Sequence, residues 1–326
     1  MKTTIIIPNY NGKHFLKDCL TALLKQTQKD FCTLVIDNGS SDGSVEYIQT
    51  HFPTVTIISC QKNYGFCGAV NRGIQLAETP YVLLLNNDTE VEAEFVEELE
   101  KAMDRHPKAF SINGKILQFQ KRDRMDDAGD MYCLVGWQFQ RGVAQLEKQF
   151  SKEEQVFSAC AAAAIYRKKV FEQIGYFDEN HFAYLEDMDI GFRARIYGYE
   201  NWFCPRARVY HVGSGTTGSK YNSLKVKLSA RNSVYMNYKN MPIGMLLLNF
   251  LPLLVGYLIK WGFFIRIGFG KEYFFGVIQG LQKRKNLRKV SFAFSRVWNY
   301  IWIEWALIRN SFLYAYEFIQ RRGKKK

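Results

Sequence analysis

Residues 3–12 read TTIIIPNYNG, five β-branched or apolar residues followed by Pro8 and a polar turn. A run this short, closed by proline, asparagine and glycine, is a strand buried on both faces. Helical spacing follows over residues 15–24, and the alternation then repeats. Strands are predicted over 33–36, 55–59 and 81–85, and helices over 44–50, 69–77 and 92–103. Alternation at this pitch builds a mixed, mainly parallel α/β sheet flanked by helices. Ligands of such sheets bind at the carboxyl ends of the strands. Those ends read PNYNG (8–12), DNGSSDG (37–43), NYGF (63–66) and NNDT (86–89). Each alone is ordinary turn chemistry. Four along one rim make a site.

A length of 326 residues suggests two structural units. With 47% hydrophobic and 23% charged residues, wholesale disorder is excluded. Seven cysteines without a CxxC argue against a disulfide framework or a structural zinc. The apolar run after Lys2 stops at Pro8, too short for a secretory signal, so a cytoplasmic protein is expected.

The charge is unevenly spread. Residues 1–238 hold 28 basic and 28 acidic side chains, whereas residues 239–326 hold 16 and 3, the whole formal excess of +13. The same tail is apolar and aromatic. It contains an uncharged run over 243–259, three tryptophans in VWNYIWIEWALIRNSFLYAYEF (297–318), and the ending RRGKKK. Pro252, Gly244 and Gly256 count against a straight spanning helix over 243–259. Basic amphipathic helices in the headgroup layer of an anionic membrane are expected instead, at its cytoplasmic face. A solvated helical subdomain is the plainer alternative. A nucleic-acid surface is the other, and no nucleic-acid partner is expected.

TIIIPNYNG, LVIDNGSSDGS, NYGFCGAVNRG and LLLNNDTEV, in this order, resemble a family 2 glycosyltransferase with the GT-A fold, most similar to bacterial rhamnosyltransferases. AYLEDMDIGFRARIYGY (183–199) and HVGSGTTG (211–218) extend the resemblance to about residue 220. It implies a nucleoside-diphosphate sugar donor, dTDP- or UDP-linked, with dTDP-rhamnose the leading candidate. Asp37 then contacts the nucleotide, and Pro8, Tyr10 and Asn11 frame the base. Asn63, Gly65, Asn71, Asn86, Asn87 and Ser214 surround the ribose and phosphates, while Gly73 reads equally as a packing glycine. The family places Asp-x-Asp where this chain has Asn86-Asn87-Asp88, which leaves Asp88 as the one carboxylate for Mn2+ or Mg2+. The alternative for Asp88 is a helix N-cap. His211, opening a Gly/Ser/Thr loop, is the second candidate ligand.

Transfer with inversion needs a base for the attacking hydroxyl. Glu186 and Asp187 open a helix, and the resemblance makes Asp187 that base. Asp189 stands four residues before Arg193 and reads as structural. Residues 113–158 are irregular and suit acceptor recognition; within them Asp126 and Asp127 cannot be told from a surface loop. Cys160, with Ala159 and Ala161 to Ala164, reads as a buried strand. The expectation is an inverting, metal-dependent transferase moving a sugar to a lipid-linked glycan in cell-surface polysaccharide synthesis. Residues 1–238 would form the GT-A domain, with a nucleotide-sugar half (1–110) and an acceptor half (111–238), and 239–326 the membrane-associating helices. A sugar nucleotidyltransferase would need a basic Gly-rich loop in place of PNYNG. A non-catalytic nucleotide-sugar scaffold is supported only by Asn86.

Overall fold

The buried run of residues 3–7 extends through Asn9 as β1 (Thr3–Asn9) in the computed structural model, which describes residues 1–213 and 221–323. Then follow α1 (Lys13–Leu24), β2 (Phe31–Asp37), α2 (Ser44–His51), β3 (Thr56–Ser59), α3 (Gly65–Leu76) and β4 (Tyr81–Leu85). Strands β1, β2 and β4 are buried as expected, and β1 pairs in parallel with β2 and β4. Leu16, Cys19, Leu20 and Leu23 recur at helical spacing on α1 and face the sheet. Gly73 packs against Ile6 of β1, so its packing reading holds.

Two boundaries differ from the sequence reading by three residues or more. The third helix starts at Gly65, four residues before the predicted start, so the NYGF turn is itself the helix entrance. Gly65 is required there: its φ is +76°, and a Cβ would lie 2.4 Å from the Phe182 carbonyl oxygen. After Asp88 the chain forms a short strand β5 (Thr89–Val91) before α4 (Phe95–Arg105). Asp88 therefore precedes a strand, which removes the N-cap alternative.

The second half contains β6 (Ala109–Gln118), β7 (Lys121–Asp127), β8 (Asp130–Tyr132), β9 (Gln138–Gln140), β10 (Glu154–Val156) and β11 (Ala163–Arg167). Then come α5 (Lys168–Ile174), α6 (Glu186–Ile196) and β12 (Glu200–His211). The main sheet runs β10-β12-β6-β11-β4-β1-β2-β3, with β5 on β12 and β7 on β6. Its β12–β6 pair is parallel, whereas β11 is antiparallel to both neighbours, so the sheet is mixed. Of the predicted strand over the alanines only Ala163 and Ala164 are paired; Cys160 sits in the loop before it.

The tail is helical: α7 (Ser223–Asn240), α8 (Ile243–Leu248), α9 (Phe250–Arg266), α10 (Gly270–Lys283) and α11 (Val297–Gly323). The charge step at residue 239 falls inside α7. Met236, Leu253, Ile303 and Leu307 share one apolar core with Tyr132, Phe157 and Phe192 of the acceptor half. Gly256 lets α9 approach the β8–β9 hairpin, since a Cβ there would fall 1.9 Å from the Val135 carbonyl oxygen. Trp137 Nε1 donates to the Gly256 carbonyl at 3.0 Å and completes the dock. The uncharged run 243–259 breaks at Asn249, between α8 and α9. Among the described residues no helix is long and apolar enough to cross a membrane.

Candidate active site

The four polar strand ends meet through asparagine amides, which can donate and accept at once. Asn87 Nδ2 donates to Asn9 Oδ1 at 2.7 Å, and Asn9 Nδ2 donates to Asp37 Oδ1 at 3.0 Å. Asn38 Nδ2 reaches Asn63 Oδ1 at 2.9 Å. Loops after β4, β1, β2 and β3 are thus tied into one rim without any ion pair. Asp37 is buried, and its second oxygen accepts the Ser40 amide at 3.0 Å. Asn11, at φ 49°, accepts the Ser41 amide. Tyr10 and Tyr64 stand exposed above the rim. Pro8 and Asn86 are half-buried on β1 and after β4.

Asn71 has a different task from the one expected. Its amide donates to the Phe177 carbonyl at 2.8 Å and accepts from the Phe177 amide at 3.0 Å, tying α3 to the chain before α6. Both ends of the side chain are spent on this link, so it is not available to ribose or phosphate. Ser214 lies outside the described residues.

Asp88 and His211 converge because β5 pairs antiparallel with β12, setting Thr89 opposite His211. His211 Nε2 lies 3.3 Å from Asp88 Oδ1, and Nδ1 lies 2.8 Å from Asp126 Oδ2. Burial favours the neutral ring, but hydrogen bonds to Asp126 and Asp88 outweigh it and hold the imidazole pKa up at about 10. Two cis ligands of an octahedral ion with bonds of about 2.1 Å stand about 3.0 Å apart, so this pair has the spacing for one divalent cation, which would displace the Nε2 proton on binding. Asp126 then occupies the orienting position behind a metal-bound histidine. Sequence reading could not separate Asp126 from a surface loop, because its approach depends on the long-range β6–β7 and β6–β12 pairings.

Asp127, the next residue of β7, is turned the other way, as strand alternation requires. Its carboxylate, that of Asp130 and the Cys160 thiol lie within 4.8 Å of one another. Burial drives all three toward their neutral forms and pushes Asp127 up to about 8. Neutral donors make a poor cation site. Asp130 faces Asp187, and burial with the neighbouring carboxyls of Asp127 and Asp187 pushes its pKa well above the usual range. Gln138 Nε2 donates to its Oδ1 at 2.8 Å.

Glu186 and Asp187 begin α6, with Glu186 buried and Asp187 half-buried. Burial raises the Asp187 pKa, opposed by the Met188 amide that donates to Oδ1 at 2.7 Å. Burial and the neighbouring Asp187 charge push Glu186 up to about 8. Both carboxyls are thus pushed toward their neutral forms, Glu186 strongly, an environment suited to groups that exchange a proton. Among the described residues Glu186 Oε2 is buried without a hydrogen-bond partner. Asp189 turns away from the cleft, pairing with Arg193 and Lys239 at 2.9 Å each, so its structural reading holds.

The approach to this pair is strained. Phe182, Tyr184 and Leu185 have φ values of 63°, 72° and 65°, costing roughly 1–3 kcal/mol each for residues with a Cβ. Asn232 of α7 restrains them, its buried Nδ2 donating to the carbonyls of His181, Ala183 and Tyr184 at 2.7 to 3.0 Å. Asn232→Ala removes these hydrogen bonds and should cost about 2 kcal/mol. Urea unfolding reads this directly; a loss under about 0.5 kcal/mol, the size of an ordinary surface change, would show that the loop holds itself.

A cleft of about 1010 Å3 opens beside the pair. Asp130, Glu186 and Asp187 line it together with the β8–β9 hairpin and apolar side chains of α9 and α11, among them Ile259, Phe264 and Phe318.

Residues 4–175 match Glycosyl transferase family 2. An N-acetylglucosaminyl-diphospho-decaprenol L-rhamnosyltransferase of Mycobacterium tuberculosis is 26% identical over 236 residues, 66% of this chain and 77% of that one. A solved structure of GalNAc-T7 with UDP, GalNAc and Mn2+ has a TM-score of 0.60 at 16% identity, over 73% of this chain and 48% of that one. This chain therefore spans about half of GalNAc-T7. S. aureus TarS 1-349 in complex with UDP-GlcNAc gives 0.53 at 17% identity, over 74% and 68% of the two chains. At such identities the two structures establish likeness of fold.

Proposed function

The chain belongs to glycosyltransferase family 2 and is a glycosyltransferase that takes its sugar from a nucleotide-sugar donor; we propose that it inverts that sugar onto a lipid-linked glycan at a membrane surface. The observation that carries this reading is the cleft itself. It is lined by the carboxyls of Asp130, Glu186 and Asp187, and much of the rest of its wall is apolar and aromatic. A saccharide fits the first part and a hydrocarbon chain the second.

Asp187 takes the proton of the attacking hydroxyl, and protonated Glu186 hydrogen-bonds the acceptor. Asp130 donates to Asp187 and keeps it charged. Asp88 and His211 would hold Mn2+ or Mg2+, which supplies positive charge to the departing diphosphate. On the donor side the asparagine-linked rim, with Asp37, Tyr10 and Asn11, receives the nucleotide. Rhamnose from dTDP-rhamnose is the proposed sugar, supported by the mycobacterial relative's name. The role in cell-surface polysaccharide assembly rests on the same support.

Membrane association at the cytoplasmic face is supported by the exposed apolar surface of the tail. Phe294 is 87% and Trp298 72% exposed, and Trp302 and Trp305 follow on the same helix. Leu247, Leu251 and Leu258 are likewise exposed on α8 and α9. A patch this large on an isolated protein marks an interaction surface. Each basic residue near an anionic leaflet adds about 1 kcal/mol.

One experiment tests the reading. The full chain, dTDP-rhamnose and Mn2+ are supplied with polyprenyl-diphospho-N-acetylglucosamine in anionic liposomes, or with free N-acetylglucosamine. Expected are co-flotation with the liposomes and a kcat/KM at least about 100-fold higher for the lipid acceptor, a gain of under 3 kcal/mol that burial of a few methylenes supplies. Equal use of the free sugar would overturn the lipid acceptor. Donor binding with no diphosphate released to any acceptor would favour a scaffold.

A further inference from the structure

α9 carries one lysine in an otherwise apolar and aromatic stretch, FLPLLVGYLIKWGFFIR (250–266), closed by Arg266. Lys260 is half-buried. Its side chain lines the cleft that holds Glu186 and Asp187, with Nζ 5.8 Å from the Trp137 ring centroid. Among the described residues no carboxylate lies within ion-pair distance of it. Burial brings its pKa down to about 8. A half-buried cation in a largely apolar wall without a counter-ion is stabilised when an anion arrives. Lys225 and Arg266 line the same cleft, with Lys225 Nζ 5.4 Å from the Tyr184 ring centroid. Three acids, Asp130, Glu186 and Asp187, line the same cleft, and burial pushes Asp130 and Glu186 toward their neutral forms.

One cleft thus brings together the candidate base, three cations and a hydrocarbon wall. It matches a molecule built as sugar, phosphate, lipid. We propose that Lys260, backed by Lys225 and Arg266, binds the phosphate joining the acceptor saccharide to its lipid, and thereby sets the sugar hydroxyl against Asp187. This rests on the lipid-linked acceptor proposed above and adds the residue that discriminates a phosphate-linked lipid from a neutral one.

Binding in a neutral detergent tests it without turnover, read by tryptophan fluorescence because Lys260 overlies Trp137. The probes are farnesyl diphosphate and farnesol, with EDTA present so that metal-dependent diphosphate binding at the donor rim is suppressed. Wild type should bind the diphosphate at least about tenfold tighter than the alcohol. Lys260→Met keeps the side-chain volume and should abolish that preference while leaving farnesol affinity unchanged; Lys260→Arg should restore it. A wild type without preference, or a Lys260→Met variant that keeps it, overturns the proposal. A short-chain phosphatidylglycerol that binds as tightly as farnesyl diphosphate and is equally lost in Lys260→Met would assign the site to a bilayer headgroup, also overturning it. Unchanged melting of the variant excludes misfolding. The transfer assay reports separately: lipid-acceptor turnover without a Lys260 effect sinks this inference alone, whereas equal use of the free sugar sinks the parent reading.

Discussion

Asp187→Asn should lower kcat about 1,000-fold, within the range for loss of a general base, while leaving the donor dissociation constant unchanged. The amide occupies the same volume at the entrance of α6 and retains an oxygen for the Met188 amide, so α6 should still form. What it lacks is the basic oxygen. Retention of more than about a tenth of wild-type turnover would mean that another group takes the proton. The pH dependence adds a second signature. The base acts when ionised, and burial raises the Asp187 pKa. The wild-type rate should therefore climb with pH through a midpoint above the ordinary carboxylate range. Asp130 stabilises the charged form of Asp187, so Asp130→Ala should move that limb to higher pH. Asp130→Asn, which still offers a donor, should move it less. An acid limb indifferent to residue 130 would separate the two carboxyls functionally.

The second large effect belongs to Asp88. Asp88→Ala removes the only carboxylate of the Asn86-Asn87-Asp88 triplet and should cut kcat/KM about 1,000-fold, a charge-stabilisation loss of several kcal/mol. EDTA on wild type should do the same. Nucleoside diphosphate at 100 times its dissociation constant stabilises a protein by about 2.7 kcal/mol, so the Mn2+-dependent rise in melting temperature is a direct readout. It should vanish in Asp88→Ala. In Asp126→Asn it should survive but require about 10 to 100 times more Mn2+, the usual consequence of losing the partner behind a metal-binding histidine. Inactive Asp88→Ala with an intact Mn2+-dependent shift would take the metal-ligand role from Asp88.

These residues were unequally legible in the sequence. The donor half was readable because its signals are local: a buried strand, a turn, an amphipathic helix, repeated. Asp88, Asp187 and the Asp189–Arg193 pair lie within or beside such elements. The convergence of Asp88 with His211 was anticipated through resemblance, but its cause, the three-residue strand β5 on β12, leaves no periodic trace. Asp126, Asp127 and Asp130 read as a polar loop because strand alternation sends the first toward His211 and the other two toward Asp187, a division visible only with the β7 register. Asn71 misled for the opposite reason. A polar residue in a glycine-rich helix entrance looks like a ligand contact, and its backbone partner at Phe177 is 106 positions away. The tail was read correctly as helical and basic, yet its shared core with the acceptor half depends on contacts such as Gly256 against Val135 that composition does not encode.

The grip of Asn232 on the strained turn before Glu186 has a mechanical meaning. A carboxylate on a relaxed loop drifts independently of whatever binds nearby. Here the residues leading into α6 are bent against their preference and pinned by an amide on α7, which also packs against α10. Asp187 and the helical tail are thereby mechanically linked. A displacement of the helices by a fraction of an ångström is transmitted to the reacting oxygen, so alignment of the chemistry is inseparable from the seating of the tail.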